Sequence, residues 1–217
     1  MSKVNTKKAR SGGPPPRRRN AEATRQAILD SARLAFMRSG YDGVGVREIA
    51  QGAGVTAMLV NRYFGSKEQL FEEVVEVTLS APGILTSRVT ARSGELATLS
   101  REVAQALVAK TAPEATPMDG FLIMLRSASN EQAARILREK FVKHFEKPLA
   151  DVLPGREPAE RAAMFLALIA GFQVMRQVVG IPGLIEADPS ALSARLEALF
   201  DVLMESSARN RSPSSGR

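Results

Sequence analysis

The sequence predicts an all-α protein, with a small N-terminal three-helix unit built on a helix-turn-helix and a larger helical domain after it, about nine helices in all. Three observations predict this. Apolar residues recur at helical spacing, and no stretch sustains the alternation of a half-buried strand. Helix start and stop signals cut the chain into helix-length pieces. Residues 46–67, VREIAQGAGVTAMLVNRYFGSK, have the spacing of two short helices around a tight turn.

Residues 1–25 hold Lys3, Lys7, Lys8, Arg10, Arg17, Arg18, Arg19 and Arg25 against Glu22 alone, so the formal net charge of +7 is concentrated there. With Gly12, Gly13 and Pro14 to Pro16 and little apolar surface to bury, residues 1–20 are expected to be a disordered basic arm. The first helix is expected over 21–38, with Ile28, Ala32, Ala35 and Phe36 on one face and Gly40 as its stop. In the hairpin, small Ala50 permits close approach and Gly54 takes the turn, while Ile49, Ala53, Val55, Val60 and Tyr63 pack between the helices. Thr56 is placed to cap the helix from Ala57 to Tyr63. Ser66 with Gln69 reads as a capping box for the next helix, which carries Leu70, Phe71, Val74, Val75 and Leu79 up to Pro82-Gly83.

Further helices are expected over 95–110, over 116–127 with Thr116 as cap and Pro117 in the first turn, and over 129–152 behind a Ser129/Gln132 capping box. Pro154-Gly155 ends that last segment, Pro158 opens a helix to about 179, and Asp188-Pro189 opens another to about 207. The expected divisions are therefore the arm at 1–20, the helix-turn-helix unit at 21–66, a helical domain at 67–208 and a disordered tail at 209–217.

The hairpin points to DNA. Ala57, Met58, Asn61 and Arg62 fall on the outward side of its second helix, where base edges are met. Arg47, Thr56, Tyr63 and Lys67 complete the candidate contacts; Lys67 lies in a first turn whose free amides and ammonium together suit a phosphate. A similar hairpin can serve packing alone, but the Tyr63-Phe64 pair, the capping box, Lys67 and the preceding helix all favour DNA. The basic arm is expected to follow phosphates or enter the minor groove.

The run ILDSARLAFMRSGYDGVGVREIAQGAGVTAMLVNRYFGSKEQLF, within residues 24–74, resembles the DNA-binding domain of the TetR family of transcriptional regulators. The resemblance implies a homodimer with one head per subunit and a divergent C-terminal domain that takes a small effector, whose entry changes head spacing and releases the operator. Two positions depart from the family pattern. Asn61 replaces a usual backbone-contacting tyrosine, which leaves more of that work to Tyr63 and offers a bidentate contact to adenine. Gly45 replaces a common Ser or Thr cap, keeping the geometry but supplying no hydroxyl.

Candidate effector contacts are Met118, Phe121, Leu122, Leu125, Arg126, Phe141, Phe145, Met164, Phe172, Met175 and Arg176, because Met and Phe repack readily around apolar guests. Met124, His144 and Gln173 lie among them, His144 beside the wet residues Lys143 and Glu146. The stretch 162–175 is apolar almost all round and needs cover on every side, which suggests a homodimeric four-helix bundle through Phe165, Leu168, Ile169, Leu192, Leu196, Leu199, Phe200 and Leu203.

The hydrophobic fraction of 44% supports a substantial core; absent cysteine rules out thiolate chemistry, and a single histidine leaves little for a metal. No cofactor or metal is expected. Enzyme chemistry finds no Ser-His-Asp set, HExxH or phosphate-cradling loop. Neither a full-length bilayer span nor a secretory h-region is seen, so a cytoplasmic protein without membrane contact is expected. The function expected is that of a sequence-specific regulator, a repressor released from a palindromic double-stranded operator by a small hydrophobic effector. The alternative is a nonspecific architectural DNA-binding protein dominated by its arm.

Overall fold

The computed structural model describes residues 16–81, 83–85, 96–116 and 118–205, all helical or irregular with no strand among them. Helix α1 (Pro16–Ser39) begins earlier than expected: Arg17 to Arg19 belong to its backbone, since proline is well suited to a first helical position. Residues 1–15 of the basic arm and the tail from 206 lie outside the described residues. Gly40 closes α1 at φ 66°, its amide donating to the Phe36 carbonyl at 2.9 Å.

Three elements follow: α2 (Val46–Gly52), α3 (Ala57–Phe64) and α4 (Lys67–Ser80). Ile28, Ala32 and Phe36 of α1 meet Ile49, Val60, Phe64, Leu70 and Phe71 in one buried cluster. Phe71 receives Phe36 and Tyr41 edge-on, each at 5.0 Å between ring centres.

The larger domain comprises α5 (Leu96–Lys110), α6 (Asp119–Ser127), α7 (Glu131–Phe141), α8 (Lys147–Val152), α9 (Pro158–Gln173), α10 (Pro182–Ile185) and α11 (Pro189–Met204). A π-helical turn, Val142–Glu146, joins α7 to α8, and another, Val174–Val179, prolongs α9. The one-turn α10 is the addition to the helices expected.

Two caps differ from expectation. Helix α6 starts at Asp119 with Met118 in the cap position, so Thr116 caps nothing, and Pro117 lies outside the described residues. Helix α7 starts one residue later than Ser129 would set it, and Asn130 accepts the Ala133 amide at 2.9 Å. Gln132 is thereby freed to accept the Tyr41 hydroxyl at 3.1 Å. Asp188 caps α11 as expected, accepting from Ala191 at 2.8 Å.

The apolar cluster of the first three helices does not stop at residue 66; it runs on through α4 to Ile123 of α6 and Ala133, Ile136 and Leu137 of α7. A second cluster joins Val103 and Leu107 of α5, Leu149 of α8, Phe165 and Ile169 of α9, and Leu192, Leu196 and Phe200 of α11. Phe165 stacks on Phe200 at 4.2 Å.

This corrects the assignment of subunit-facing residues. Phe165, Ile169, Leu192, Leu196 and Phe200 are buried by their own chain, because α11 packs on both α5 and α9 and α8 adds to the cover of α9. Leu168 and Leu203 are half-buried, and Leu199 is 51% exposed. The uncovered apolar face lies one position round: Met164, Met175 and Val178 along α9 and its π turn, Leu199 and Val202 on α11.

The continuous helix Pro158–Val179 has 22 residues, with an 18-residue stretch of mean hydropathy 1.6, long and apolar enough by length and composition to cross a bilayer, which the shorter run at 162–175 had not suggested. Its two arginines instead meet protein carbonyls. Arg161 donates to Arg156 at 3.0 Å, to Leu203, Met204 and Glu205 at 3.2, 3.3 and 3.1 Å, and to Pro154.

Candidate nucleic-acid interface and regulatory cavity

Helix α3 is held by its caps and by one side. Gly54 takes the turn at φ 66°, Thr56 Oγ1 accepts the Leu59 amide at 3.3 Å, and Val60 and Phe64 are buried. The opposite side is open: Met58 is 81% exposed, and Asn61 and Arg62 follow it at three and four residues, so all three project from one face. Arg47 on α2 and Thr56 are also exposed, whereas Ala57 and Tyr63 are half-buried and pack on the core.

Lys67 is placed less freely than its sequence position suggests, since its ammonium lies 4.3 Å from the centre of the Tyr41 ring. Ser66 Oγ accepts the Gln69 amide at 3.1 Å, half of the expected capping box. Sequence reasoning missed Tyr41. Burial raises its hydroxyl pKa, with Glu68 and Asp42 adding to the shift, so it remains a donor. Its amide donates to Ser127 Oγ at 3.0 Å, and its hydroxyl reaches α7. One residue thus ties the α1–α2 turn to two helices of the larger domain; its signal in the sequence was a bulky aromatic directly after a helix-stopping glycine.

A cavity of about 520 Å³ opens between α1, α4, α6, the first π turn and α9. Met118, Phe121, Phe141 and Phe145, four of the candidate effector contacts, line it. The π turn inserts an extra residue, so Phe141 and Phe145 stack edge-on at 5.3 Å beside the cavity while His144 turns to Glu76.

The other expected lining residues are elsewhere. Met164 and Met175 lie on the uncovered face of α9, and Leu122 and Leu125 do not border the cavity. Arg126 is exposed and donates to the Met37 carbonyl, while Phe172 lies in the second core. Arg176 is buried against α5, donating to the Val108 carbonyl at 2.8 Å and Thr111 Oγ1 at 3.1 Å, where a positive group suits a helix C-terminus. In their place stand Ile169 and Gln173 of α9, Val77 and Leu79 of α4 and, from the first helix itself, Asp30 and Arg33. Arg33 pairs with Asp119 of α6 across the cavity's edge.

A second polar joint links α4 to the helix behind it. Lys143 donates to Glu76 at 2.7 Å, Lys140 reaches both Glu72 and Glu76 at 2.8 and 3.1 Å, and His144 lies 3.0 Å from Glu76. The hydrogen bond from Lys143 pulls Glu76 to about 2; burial opposes the shift, and Lys140 and His144 reinforce it. A carboxylate with a depressed pKa stabilises the fold fully above its ordinary value of 4.5 and loses that contribution as pH falls towards 2. Glu76→Gln should therefore flatten the acid side of a melting-temperature profile across that window. A mutant profile parallel to the native one would show that Glu76 carries none of the acid sensitivity.

Residues 28–74 match the sequence profile of bacterial regulatory proteins of the tetR family, and residues 97–204 match the tetracyclin repressor-like C-terminal domain. The chain is 32% identical over 161 residues to the HTH-type transcriptional regulatory protein RaaS of Mycobacterium tuberculosis, covering 70% of this chain and 71% of that protein. It is 34% identical over 87 residues to the HTH-type transcriptional regulator AcrR of Shigella flexneri, covering 40% of each. Among solved structures, NalD of Pseudomonas aeruginosa, described as the secondary repressor of the MexAB-OprM multidrug efflux pump, superposes with a TM-score of 0.61 at 24% identity, over 85% of this chain and 97% of that one. A Streptomyces coelicolor member of the same family gives 0.61 at 18% identity, over 84% and 98%.

Proposed function

The chain belongs to the TetR family of transcriptional regulators, and from that premise we propose that it is a repressor which binds a palindromic operator as a homodimer and leaves it when a small hydrophobic effector enters the cavity between head and body. The observation that carries this reading is the cavity's wall: Asp30 and Arg33 belong to the helix that braces α2 and α3, so an occupant touches the DNA-binding unit directly. Dimerisation is supported by the uncovered apolar face of Met164, Met175, Val178, Leu199 and Val202, which suits a bundle of two helices from each subunit. The reading includes no catalysis and places the protein in the cytoplasm with its DNA.

Bases are read by Asn61 and Arg62, with Met58 against apolar base surface; Arg47, Thr56, Tyr63 and Lys67 hold phosphates. Ala57 lets the helix approach closely. Asn61→Ala and Arg62→Ala are each expected to weaken operator binding by about 1–3 kcal/mol and to relax preference at one base pair per half-site. Lys67→Ala and Tyr63→Phe should weaken all duplexes alike. Fluorescence anisotropy on operator and scrambled duplexes separates the two patterns, and their reversal would overturn this division of contacts.

Selection of bound fragments from random duplex DNA tests the function itself. An inverted repeat with half-sites about one helical turn or more apart is expected, bound about 10³-fold or more tighter than random sequence. Uniform recovery of all sequences would identify a nonspecific architectural protein instead. Effector and operator must also weaken each other by the same factor, as linkage requires.

A further inference from the structure

The lining of the cavity holds two kinds of polar group. The side chains of Arg33 and Asp119, 39% and 28% exposed, neutralise each other, and Asp30 accepts from Gln26 at 3.1 Å. Most of the remaining wall is apolar, including Val77, Phe121 and Ile169. Gln173 also lines the cavity, only 5% exposed, with its Nε2 buried and without a hydrogen-bond partner among the described residues. Buried amide donors are normally satisfied, and leaving one unmade is costly.

We propose that the cavity's ligand is an uncharged, largely apolar molecule whose hydrogen-bond acceptor, a carbonyl or ether oxygen, receives the Gln173 Nε2–H. This rests on the reading of the cavity as the effector site and specifies what it selects. A hydrocarbon leaves the donor unmatched. An ionised headgroup beside Gln173 would lose its water next to an uncharged amide, a larger penalty than any single hydrogen bond returns. An anion set against the charged lining residues meets Asp30 and Asp119 with Arg33 as the single cation among the described lining residues, already paired with Asp119. A neutral acceptor avoids both costs.

Four probes of equal chain length decide the matter on the full-length protein: 2-nonanone, 1-nonene, nonanoate and nonylammonium, read by displacement of an apolar fluorescent dye and by thermal shift. The ketone should bind roughly tenfold tighter than the alkene, the value of one satisfied buried donor, and both ions more weakly than the ketone. Gln173→Leu, and Gln173→Met as a volume-conserving second variant, should bring ketone and alkene to within about twofold of each other without lowering the melting temperature of the free protein. Equal binding of ketone and alkene by the native protein, tightest binding of either ion, or a ketone preference that survives both variants overturns the proposed ligand class while leaving the cavity as the effector site. Failure of all four probes to displace dye or shift the melting temperature overturns the effector reading itself, and this inference with it.

Discussion

Gly40→Ala should be among the most damaging single-methyl additions in the molecule. The residue sits at φ 66°, where a β-carbon is strained, and a methyl there would overlap the backbone carbonyl of Arg126 on α6. Strain and overlap together are expected to cost about 3 kcal/mol or more, roughly 6–12 °C in melting temperature for a domain of this size. Gly54 separates the two contributions: it has the same φ of 66° but nothing within 4 Å of an added β-carbon, so Gly54→Ala meets the strain alone. Thermal unfolding of both variants checks this. Equal losses would mean that the α1–α6 seam yields without resistance.

Arg161→Met is expected to be comparably severe for a different reason. The guanidinium is 9% exposed and gathers five carbonyls, three from the C-terminal turn of α11 and two from the loop before α9. A positive group at a helix C-terminus is favourable, and its loss strands several acceptors at once, at a cost of about 3 kcal/mol. Arg161→Lys should recover less than half, because a point ammonium cannot span acceptors spread around a planar fork. Chemical denaturation of the three proteins checks the order, and a lysine variant as stable as the native protein would reduce the site to a simple charge effect.

Local chemistry was legible in the sequence. The turn at Gly54, the stop at Gly40 and the caps Thr56, Ser66 and Asp188 each depend on residues a few positions apart, and all appear where spacing alone placed them. So did the exposed face of α3, because a short helix with Val60 and Phe64 buried leaves Met58, Asn61 and Arg62 no inward side. What spacing does not reveal is which element covers which face. The apolarity of α9 signalled burial but not its agent, so Phe165 and Phe200, which bury each other, read like surfaces awaiting a second subunit. Asp30 and Arg33 looked like the solvated side of α1 and proved to border the cavity, since the packing of α6 depends on contacts some 86 residues away in the chain, such as that between Arg33 and Asp119. Competing caps failed for a subtler reason: Ser129 and Asn130 are adjacent and both suitable, and the register of α7 chose between them.

The apolar cluster that runs from Ile28 through Phe71 to Leu137 bears on how regulators of this kind can be recombined. A chimera cut after Ser66, with the reading head grafted onto a foreign body, would forfeit the surfaces that Ile123, Ile136 and Leu137 supply and leave Phe71 and Val74 facing strangers. The transplantable module is larger than the helix-turn-helix itself, and under the base contacts proposed above operator preference is better changed by exchanging the few outward side chains of α3 than by moving the head whole.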